Sequence, residues 1–393
     1  MRFTKVALPA LLGLPLVSAK PLTARSDTEV LQDLNDQALD ALQSQLNETL
    51  AANATEKRSS SSKCTLFNAR VRRDWNTFTT AQKKAYIAAV KCLQSKPSIA
   101  DPTFAPGART RYDDFVAVHI NQTLTIHGTG NFLTWHRYFV QAYEDALRNE
   151  CSYTGYQPYW NWLDHTADPS KNSLFDGSDT SFSGDGSFVQ HNGSVTANGN
   201  VWIPSGKGGG CVTSGPFVDY VVNIGPVSPT QDGMEAAPVF LGYNPHCLAR
   251  DLSAFTAVNW LTLGNILNIT VGAASGSVLL FQNELQGRFT DGFLGLHTAG
   301  HGVMGGTSGD IFASPVDPVF FLHHAMLDRV YWLWQALHPT KANTIAGTIT
   351  LFNTPPSRDT ALNDTLDMGV NAPALQIKDV LSTLGSSLCY YYL

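Results

Sequence analysis

Residues 317–332 read DPVFFLHHAMLDRVYW and place two adjacent histidines, His323 and His324, among bulky apolar side chains. The apolar content of this run predicts a buried helix over 317–337. Asp328 follows His324 by about one helical turn. A buried imidazole without a partner costs free energy, and metal coordination is one arrangement that compensates for it. The stretch therefore indicates a polar site inside the core.

Other histidines strengthen this indication, because seven of the eleven fall within residues 119–136 and 297–324. A lone histidine in a helix is usually a structural residue, whereas a cluster favours a shared role. His297 and His301 are four residues apart, which predicts that they lie on one helical face. Upstream of His136, across a predicted loop, the sequence offers His119 and His127.

The ligand type limits the choice of metal. Imidazole ligation without a thiolate suits copper or zinc. The HxxxH spacing occurs in zinc hydrolases, but Thr298 stands where the HExxH motif has its general base, so a zinc hydrolase would lack its catalytic residue. Six imidazoles divided between two windows suggest instead two metal ions held side by side.

Composition excludes several classes of protein. The chain has 393 residues, of which 43% are hydrophobic and 15% charged, so it can bury a sizeable core and is too apolar to be disordered. Its formal net charge of −6 comes with no basic stripe, which argues against a nucleic-acid partner. A small, uncharged or weakly charged ligand is easier to accept.

The first 58 residues have the pattern of an exported precursor. Residues 1–19 combine two basic residues, a short apolar run and small residues at the end, which predicts a signal peptide and no membrane span. Residues 20–58 contain an acidic amphipathic helix pattern and end in Lys57-Arg58, the expected site of a processing protease. We interpret them as a propeptide that shields the site, or alternatively as a charged linker, and assign 59–393 to the catalytic domain.

Export predicts oxidised cysteines and glycosylation. Six cysteines are compatible with three disulfides, and we favour a Cys64–Cys92 bond because these two residues flank one predicted helix. Sequons that indicate glycosylated surface sites occur at Asn47, Asn53, Asn121, Asn192, Asn268 and Asn363.

Periodicity predicts a mainly helical fold. Helix patterns cover residues 79–95, with a threonine as N-cap, and 131–150, 291–303 and 317–337. Residues 168–235 are rich in Gly, Ser, Asn and Asp and predict long irregular loops with a few short strands. The chemistry is expected between the helices.

Two long motifs resemble a known family. The stretch His127–Glu144, HGTGNFLTWHRYFVQAYE, resembles the copper-A signature of tyrosinases and catechol oxidases, and DPVFFLHHAMLD resembles their copper-B signature. They occur in the family's order, with HxxxH between them. The resemblance covers about residues 64–393, ends on a similar tyrosine motif at Tyr390–Tyr392, and is closest to short secreted fungal forms.

The resemblance implies a four-helix-bundle core that holds two copper ions. It assigns the second histidine of the opening stretch, not His323, as a ligand, and Asp328 as a hydrogen-bond partner of a histidine ring. Many relatives have a cysteine bonded to the second copper-A histidine where this chain has Thr125, so no such cross-link is expected. The implied copper ligands are His119, His127, His136, His297, His301 and His324.

The resemblance also implies a reaction, the oxidation of small phenols with reduction of O2 to water. Monophenol hydroxylation needs a base for a proton whose pKa is near 10. Thr298 and Gly302, which follow two implied ligands, are not bases, and the nearby acids Glu284 and Asp291 do not align with the family's glutamate. We therefore expect oxidation of o-diphenols to o-quinones with weak monophenol activity.

Full tyrosinase activity and o-aminophenol oxidation remain alternatives, since Gly302 leaves space for bulky substrates. A haemocyanin-like oxygen carrier is the alternative outside the enzyme class. Ile311 and Phe312 are candidate roof residues of the substrate pocket, although ordinary core positions are an equal interpretation, and Phe320 and Asp328 are further candidates near the site.

Overall fold

Helices dominate the computed structural model, which describes residues 25–52, 64–196, 199–385 and 387–393. The signal-peptide prediction and the Lys57-Arg58 junction lie outside these residues. None of the described helices is long and apolar enough to cross a bilayer. The α-helices in the described part of the chain are α1 (Asp27–Ala52), α2 (Thr80–Ser95), α3 (Arg111–Ile126), α4 (Phe132–Glu150), α5 (Ala254–Trp260), α6 (Leu263–Thr270), α7 (Val278–Gln286), α8 (Gly295–Met304) and α9 (Val319–Leu337).

Strands are short and pair only two by two within the described residues. They are β1 (Arg70–Arg72), β2 (Gly186–Phe188), β3 (Ser194–Thr196), β4 (Val201–Ile203), β5 (Gly209–Val212), β6 (Val221–Val222), β7 (His246–Cys247), β8 (Thr365–Leu366), β9 (Leu375–Gln376) and β10 (Tyr390–Tyr392). The first and last strands pair in parallel, and β2–β5, β3–β4, β6–β7 and β8–β9 are antiparallel. The predicted fold class, mainly α with short strands in long loops, is confirmed.

Helix α9 is the central element. Every side chain from Val319 to Ala336 is buried, as expected for a helix that is apolar on all faces. It packs against α4 and α8, and α3 packs against α4. These four helices form the four-helix core that the family resemblance implies.

Local signals account for α2. Thr79 caps the helix through a capping box with Gln82, as the threonine in the pattern predicts. The periodic side chains Tyr86, Ile87, Val90 and Leu93 are all buried.

Helix α3 was not predicted from the sequence. It extends from Arg111 to Ile126, carries His119, and has His127 as its C-cap residue. The predicted loop between these two histidines and His136 is present, because α4 begins only at Phe132. A capping box between Thr110 and Asp113 begins α3, so a start signal was present in the sequence. Its many β-branched residues hid the helical pattern.

The disulfide prediction was wrong. Cys64 pairs with Cys389, not with Cys92, because the two residues precede the paired strands β1 and β10. Cys92 lies in the last turn of α2 and faces α4, where its partner Cys151 is the C-cap residue. The third bond joins Cys211 of β5 to Cys247 of β7, so all six cysteines are paired.

Helix α1, within the segment interpreted as a propeptide, packs on α9. Leu31, Leu34 and Ala38 are buried in this contact. Asn35 is buried as well; its Oδ1 accepts a hydrogen bond of 3.0 Å from Arg329, and its amide donates to the Tyr392 carbonyl.

Candidate metal centre

Six buried imidazoles form two triads at the centre of the four-helix core. In each triad the ligand-type nitrogens lie within 4.8 Å of one another. The first triad comes from α3, its C-cap residue and α4, and consists of His119, His127 and His136. The second comes from α8 and α9 and consists of His297, His301 and His324.

Backbone carbonyls orient the rings of the first triad. Each ring bonds a carbonyl oxygen through Nδ1, which leaves Nε2 directed elsewhere. The pairs are His119 with Phe312 at 2.7 Å, His127 with Thr123 at 3.0 Å, and His136 with Phe132 at 2.8 Å.

Several ring nitrogens are buried without a protein partner. The Nε2 atoms of His119, His136 and His297 make no hydrogen bond within the described part of the chain. The Nε2 atoms of His301 and His324 face each other at 3.3 Å. Buried polar atoms rarely stay unsatisfied, so this donor set fits metal ions that accept imidazole nitrogen.

Burial also sets the protonation state of the rings. It lowers the pKa of each of the six imidazoles, that of His127 to about 4. The rings are therefore neutral near pH 7, which is the form that coordinates metals.

The two triads face each other closely. The rings of His136 and His324 stack with centroids 4.6 Å apart, and those of His127 and His297 are 5.7 Å apart. Two ions held by the triads would therefore be neighbours. The arrangement fits a type 3 dicopper site.

The adjacent His323 points away from the triads, as the sequence analysis expected. Trp162 Nε1 donates to its Nδ1 at 3.0 Å, and its own Nε2 donates to the His297 carbonyl at 2.9 Å. Burial lowers its pKa to about 3, so the ring is neutral. His323 ties α9 to α8 and positions His297, and nothing in the local sequence identified Trp162 as its partner.

Asp328 does not contact a histidine, which corrects the role implied by the resemblance. Its carboxylate accepts hydrogen bonds from Arg137 at 2.5 Å and from the hydroxyls of Tyr390 and Tyr392 at 2.5 and 2.7 Å. The buried guanidinium and the returning C-terminal strand are nearer than any imidazole, so Asp328 is a structural residue.

A cavity of about 380 Å³ opens onto both triads, with His127, His297 and His301 among its lining residues. The predicted roof residues Ile311 and Phe312 line it, and so does Thr298, whose hydroxyl donates to the Gln286 carbonyl. Further lining residues that no pattern in the sequence indicated include Gln286, Phe289, Leu351 and Phe352.

Two other candidates lie outside this cavity. Gly302 borders a smaller cavity behind His301, and a Cβ there would meet Ile203 and Thr256. Phe320 is fully buried and stacks on the ring of His324 with centroids 4.0 Å apart. Phe320 therefore supports a histidine and does not line the cavity.

Comparisons with known proteins agree with this geometry. The family model for the common central domain of tyrosinase matches residues 109–337. The tyrosinase-like protein orsC of Emericella nidulans is 42% identical over 306 residues, which cover 74% of this chain and 80% of that protein. The N-acetyl-6-hydroxytryptophan oxidase ivoB of the same species is 36% identical over 364 residues, 87% and 97% of the two chains.

A solved structure of a mutant polyphenol oxidase from Thermothelomyces thermophila superposes with a TM-score of 0.86 at 39% identity, covering 93% of this chain and 98% of that one. Fold, paired histidine triads and sequence similarity lead to one conclusion. The chain belongs to the tyrosinase family.

Proposed function

We propose that this protein oxidises o-diphenols to o-quinones and reduces O2 to water at a pair of copper ions. The observation that carries the proposal is the opening of two neutral imidazole triads onto one shared cavity. His119, His127 and His136 would hold one copper ion, and His297, His301 and His324 the other. When bound, the two ions supply a redox pair that exchanges two electrons between a catechol and dioxygen.

The protein's own residues orient the ligands and form the cavity that receives the substrate. Carbonyl groups hold three rings in place, and His323 fixes α8 through the His297 carbonyl. The apolar side chains of the cavity receive the phenol ring.

Preference for diphenols follows from the lack of a base. No Asp, Glu, Lys or Arg is among the described residues that line the cavity. The Gln286 side chain oxygen accepts from the Gly128 amide at 2.7 Å, and an amide cannot take up a phenolic proton near pH 7. Glu284 and Asp291 are paired with Arg288. A catechol is more easily oxidised without such a base, so hydroxylation of monophenols is expected to be weak.

The test combines metal analysis with two substrates. Purified protein loaded with copper should contain two ions per chain and convert catechol to quinone, with phenol oxidised at least about ten-fold more slowly. His136→Gln and His301→Gln should each lose copper and activity. One ion per chain, or copper-loaded protein that binds O2 without forming quinone, contradicts the proposal; the second result favours an oxygen carrier. Comparable rates for phenol favour full tyrosinase activity.

We also propose that the protein is exported, with residues 1–19 as signal peptide and 20–58 as a propeptide cleaved after Arg58. Three disulfides in the described chain fit an oxidising compartment. Mass spectrometry of secreted protein tests both cleavage sites and the sequons. Of the latter, Asn121, Asn192 and Asn363 are exposed and Asn268 is partly buried with its amide bonded to Glu284.

A further inference from the structure

We infer that an apolar collar at the cavity mouth selects phenols whose ring substituent is uncharged and apolar, and that Phe352 is the specificity-determining residue in contact with that substituent. This inference rests on the proposed function. The collar consists of Leu124, Phe289, Ile311, Leu351 and Phe352.

The collar is unusual because several of its large apolar side chains are exposed. Leu124 is 54% exposed, Ile311 39% and Phe352 51%, although large apolar side chains are normally buried. All three border the cavity that reaches His127 and His297. Clustered exposed apolar surface marks binding sites, and its continuity with the histidine centre identifies the occupant as the substrate.

Phe352 is held in place against Gly128, the residue that follows His127. Its φ of 48° is unfavourable for a residue with a side chain, and such conformations persist where the surroundings impose them. The Phe352 amide donates to the Gly128 carbonyl at 3.2 Å, and a Cβ on Gly128 would lie 2.8 Å from the Phe352 ring. The ring therefore presses on the backbone directly after His127.

A second aromatic ring completes this wall. Phe289 and Phe352 meet edge to face with centroids 6.0 Å apart. A substituent opposite the hydroxyl groups of a bound catechol would leave the histidine centre along this wall, where ring faces and aliphatic groups favour apolar contact.

Charge is excluded from the same path. None of the described lining residues is charged, so an ammonium or carboxylate on the substrate would lose water without gaining a counter-ion. Beside Gln286 and Phe289 in the sequence, Arg288 is bonded to Glu284 at 2.8 Å and to Asp291 at 2.5 Å. The two carboxylates share Arg288 as their partner, and none of the three residues lines the cavity.

The first test compares substituents of similar length on one ring: 4-ethylcatechol, dopamine and 3,4-dihydroxyphenylacetate. We expect kcat/KM for 4-ethylcatechol to exceed that of both charged compounds by at least about ten-fold, mainly through KM. Dopamine is the more demanding comparison, because the protein's net charge of −6 attracts its ammonium group and works against the expected result. Charged catechols within two-fold of 4-ethylcatechol would overturn the inference.

The second test measures binding without turnover. Calorimetry on metal-free protein should give a lower Kd for 4-tert-butylcatechol than for catechol, and Phe352→Ala should remove most of that difference, about ten-fold. Phe352→Leu should have an intermediate effect on the same difference in Kd. This variant replaces the alanine variant in the measurement if the latter folds poorly. The matched control is Phe240→Ala, because Phe240 is exposed but does not line the cavity.

In the copper-loaded protein, Phe352→Ala should raise KM for 4-tert-butylcatechol about ten-fold more than it raises KM for catechol. An equal effect on both substrates refutes the role of Phe352. Absence of catechol oxidation with selective binding intact would instead refute the proposed function and leave the collar standing.

Discussion

At the scale of single residues, Gly300 determines how closely the ligand-bearing helices α8 and α9 approach. A Cβ at this position would overlap the ring of His323. That ring is fixed on one side by Trp162 and on the other by the carbonyl of His297. It cannot move without disturbing a triad.

Gly300→Ala is therefore expected to lower the free energy of unfolding by about 3 kcal/mol, because an overpacked core strains its neighbours. Copper affinity should fall as well, since His297 and His301 flank the substitution. Chemical denaturation and metal titration measure the two effects. The control is Gly264→Ala in α6, where a Cβ meets only the Thr262 hydroxyl at 3.8 Å; equal stability losses in the two variants would contradict the argument.

Gln286 is the second residue considered at this scale, because it lines the cavity and its replacement by glutamate would supply a carboxylate of nearly the same shape. Gln286→Glu keeps an acceptor for the Gly128 amide and adds a carboxylate whose pKa burial would raise. The ratio of 4-ethylphenol to 4-ethylcatechol oxidation rates should rise about ten-fold or more. Gln286→Leu, which removes the amide without supplying a base, should not raise it. An unchanged ratio in the glutamate variant would show that the missing base does not limit monophenol oxidation.

At the scale of elements, α1 is a docked part of the fold. Leu31, Leu34 and Ala38 are buried against the domain. Asn35 accepts a hydrogen bond from Nη2 of Arg329, whose Nε and Nη1 atoms have no hydrogen-bond partner among the described residues. Departure of α1 would expose apolar surface and remove this hydrogen bond. None of the described α1 residues lines the main cavity, so the expected shielding of the site has no support from this part of the chain.

Cleavage at Lys57-Arg58 should therefore leave α1 bound. We expect the fragment to co-elute with the domain in size-exclusion chromatography, with catechol oxidation changed less than two-fold by cleavage. Leu34→Asp should release the fragment, because a carboxylate would replace a buried apolar side chain. Mass spectrometry of the eluted peak gives the answer. If the fragment separates, or if cleavage raises activity strongly, the interpretation that the propeptide shields the histidine site would be supported.

At the scale of the whole molecule, a buried ionic network joins the ends of the domain to its centre. Arg72 of β1 bonds Glu144 of α4 at 2.7 Å, and Arg137 of α4 bonds Asp328 of α9 at 2.5 Å. The hydroxyls of Tyr390 and Tyr392 in β10 also donate to Asp328. The disulfide between Cys64 and Cys389 closes the same strand pair covalently.

Asp328→Asn removes the carboxylate opposite Arg137 and should destabilise the fold by about 3 kcal/mol or more, since a buried cation would lose its counter-ion. Copper content of the folded fraction should stay at two per chain, because Asp328 touches no imidazole. Denaturant unfolding and metal analysis separate these effects. Asp179→Asn, which breaks only the exposed pair with Lys84, should cost less than about 1 kcal/mol. Loss of copper without a loss of stability would show that Asp328 acts on the metal ligands and not on the fold.

Local patterns in the sequence determined a large part of this architecture. Helices α2 and α4 follow from apolar periodicity and α9 from its continuous apolar run, and the four-residue spacing of His297 and His301 places both rings on one face of α8. Such features depend on residues within one or two turns, where the repeat of the backbone decides which side chains are neighbours. Helix α3 was not predicted, because its β-branched residues lower its helix propensity.

Only the tertiary structure decided which distant residues meet. Phe352 lies on the backbone beside His127, and Gln286 bonds the same glycine, across more than a hundred residues of sequence. Cys64 is likewise bonded to Cys389 because strands β1 and β10 pair, although Cys92 is far nearer to Cys64 in the sequence. These contacts arise from the packing of helices and loops against one another, and no local preference of the backbone encodes which remote side chain fills a given space.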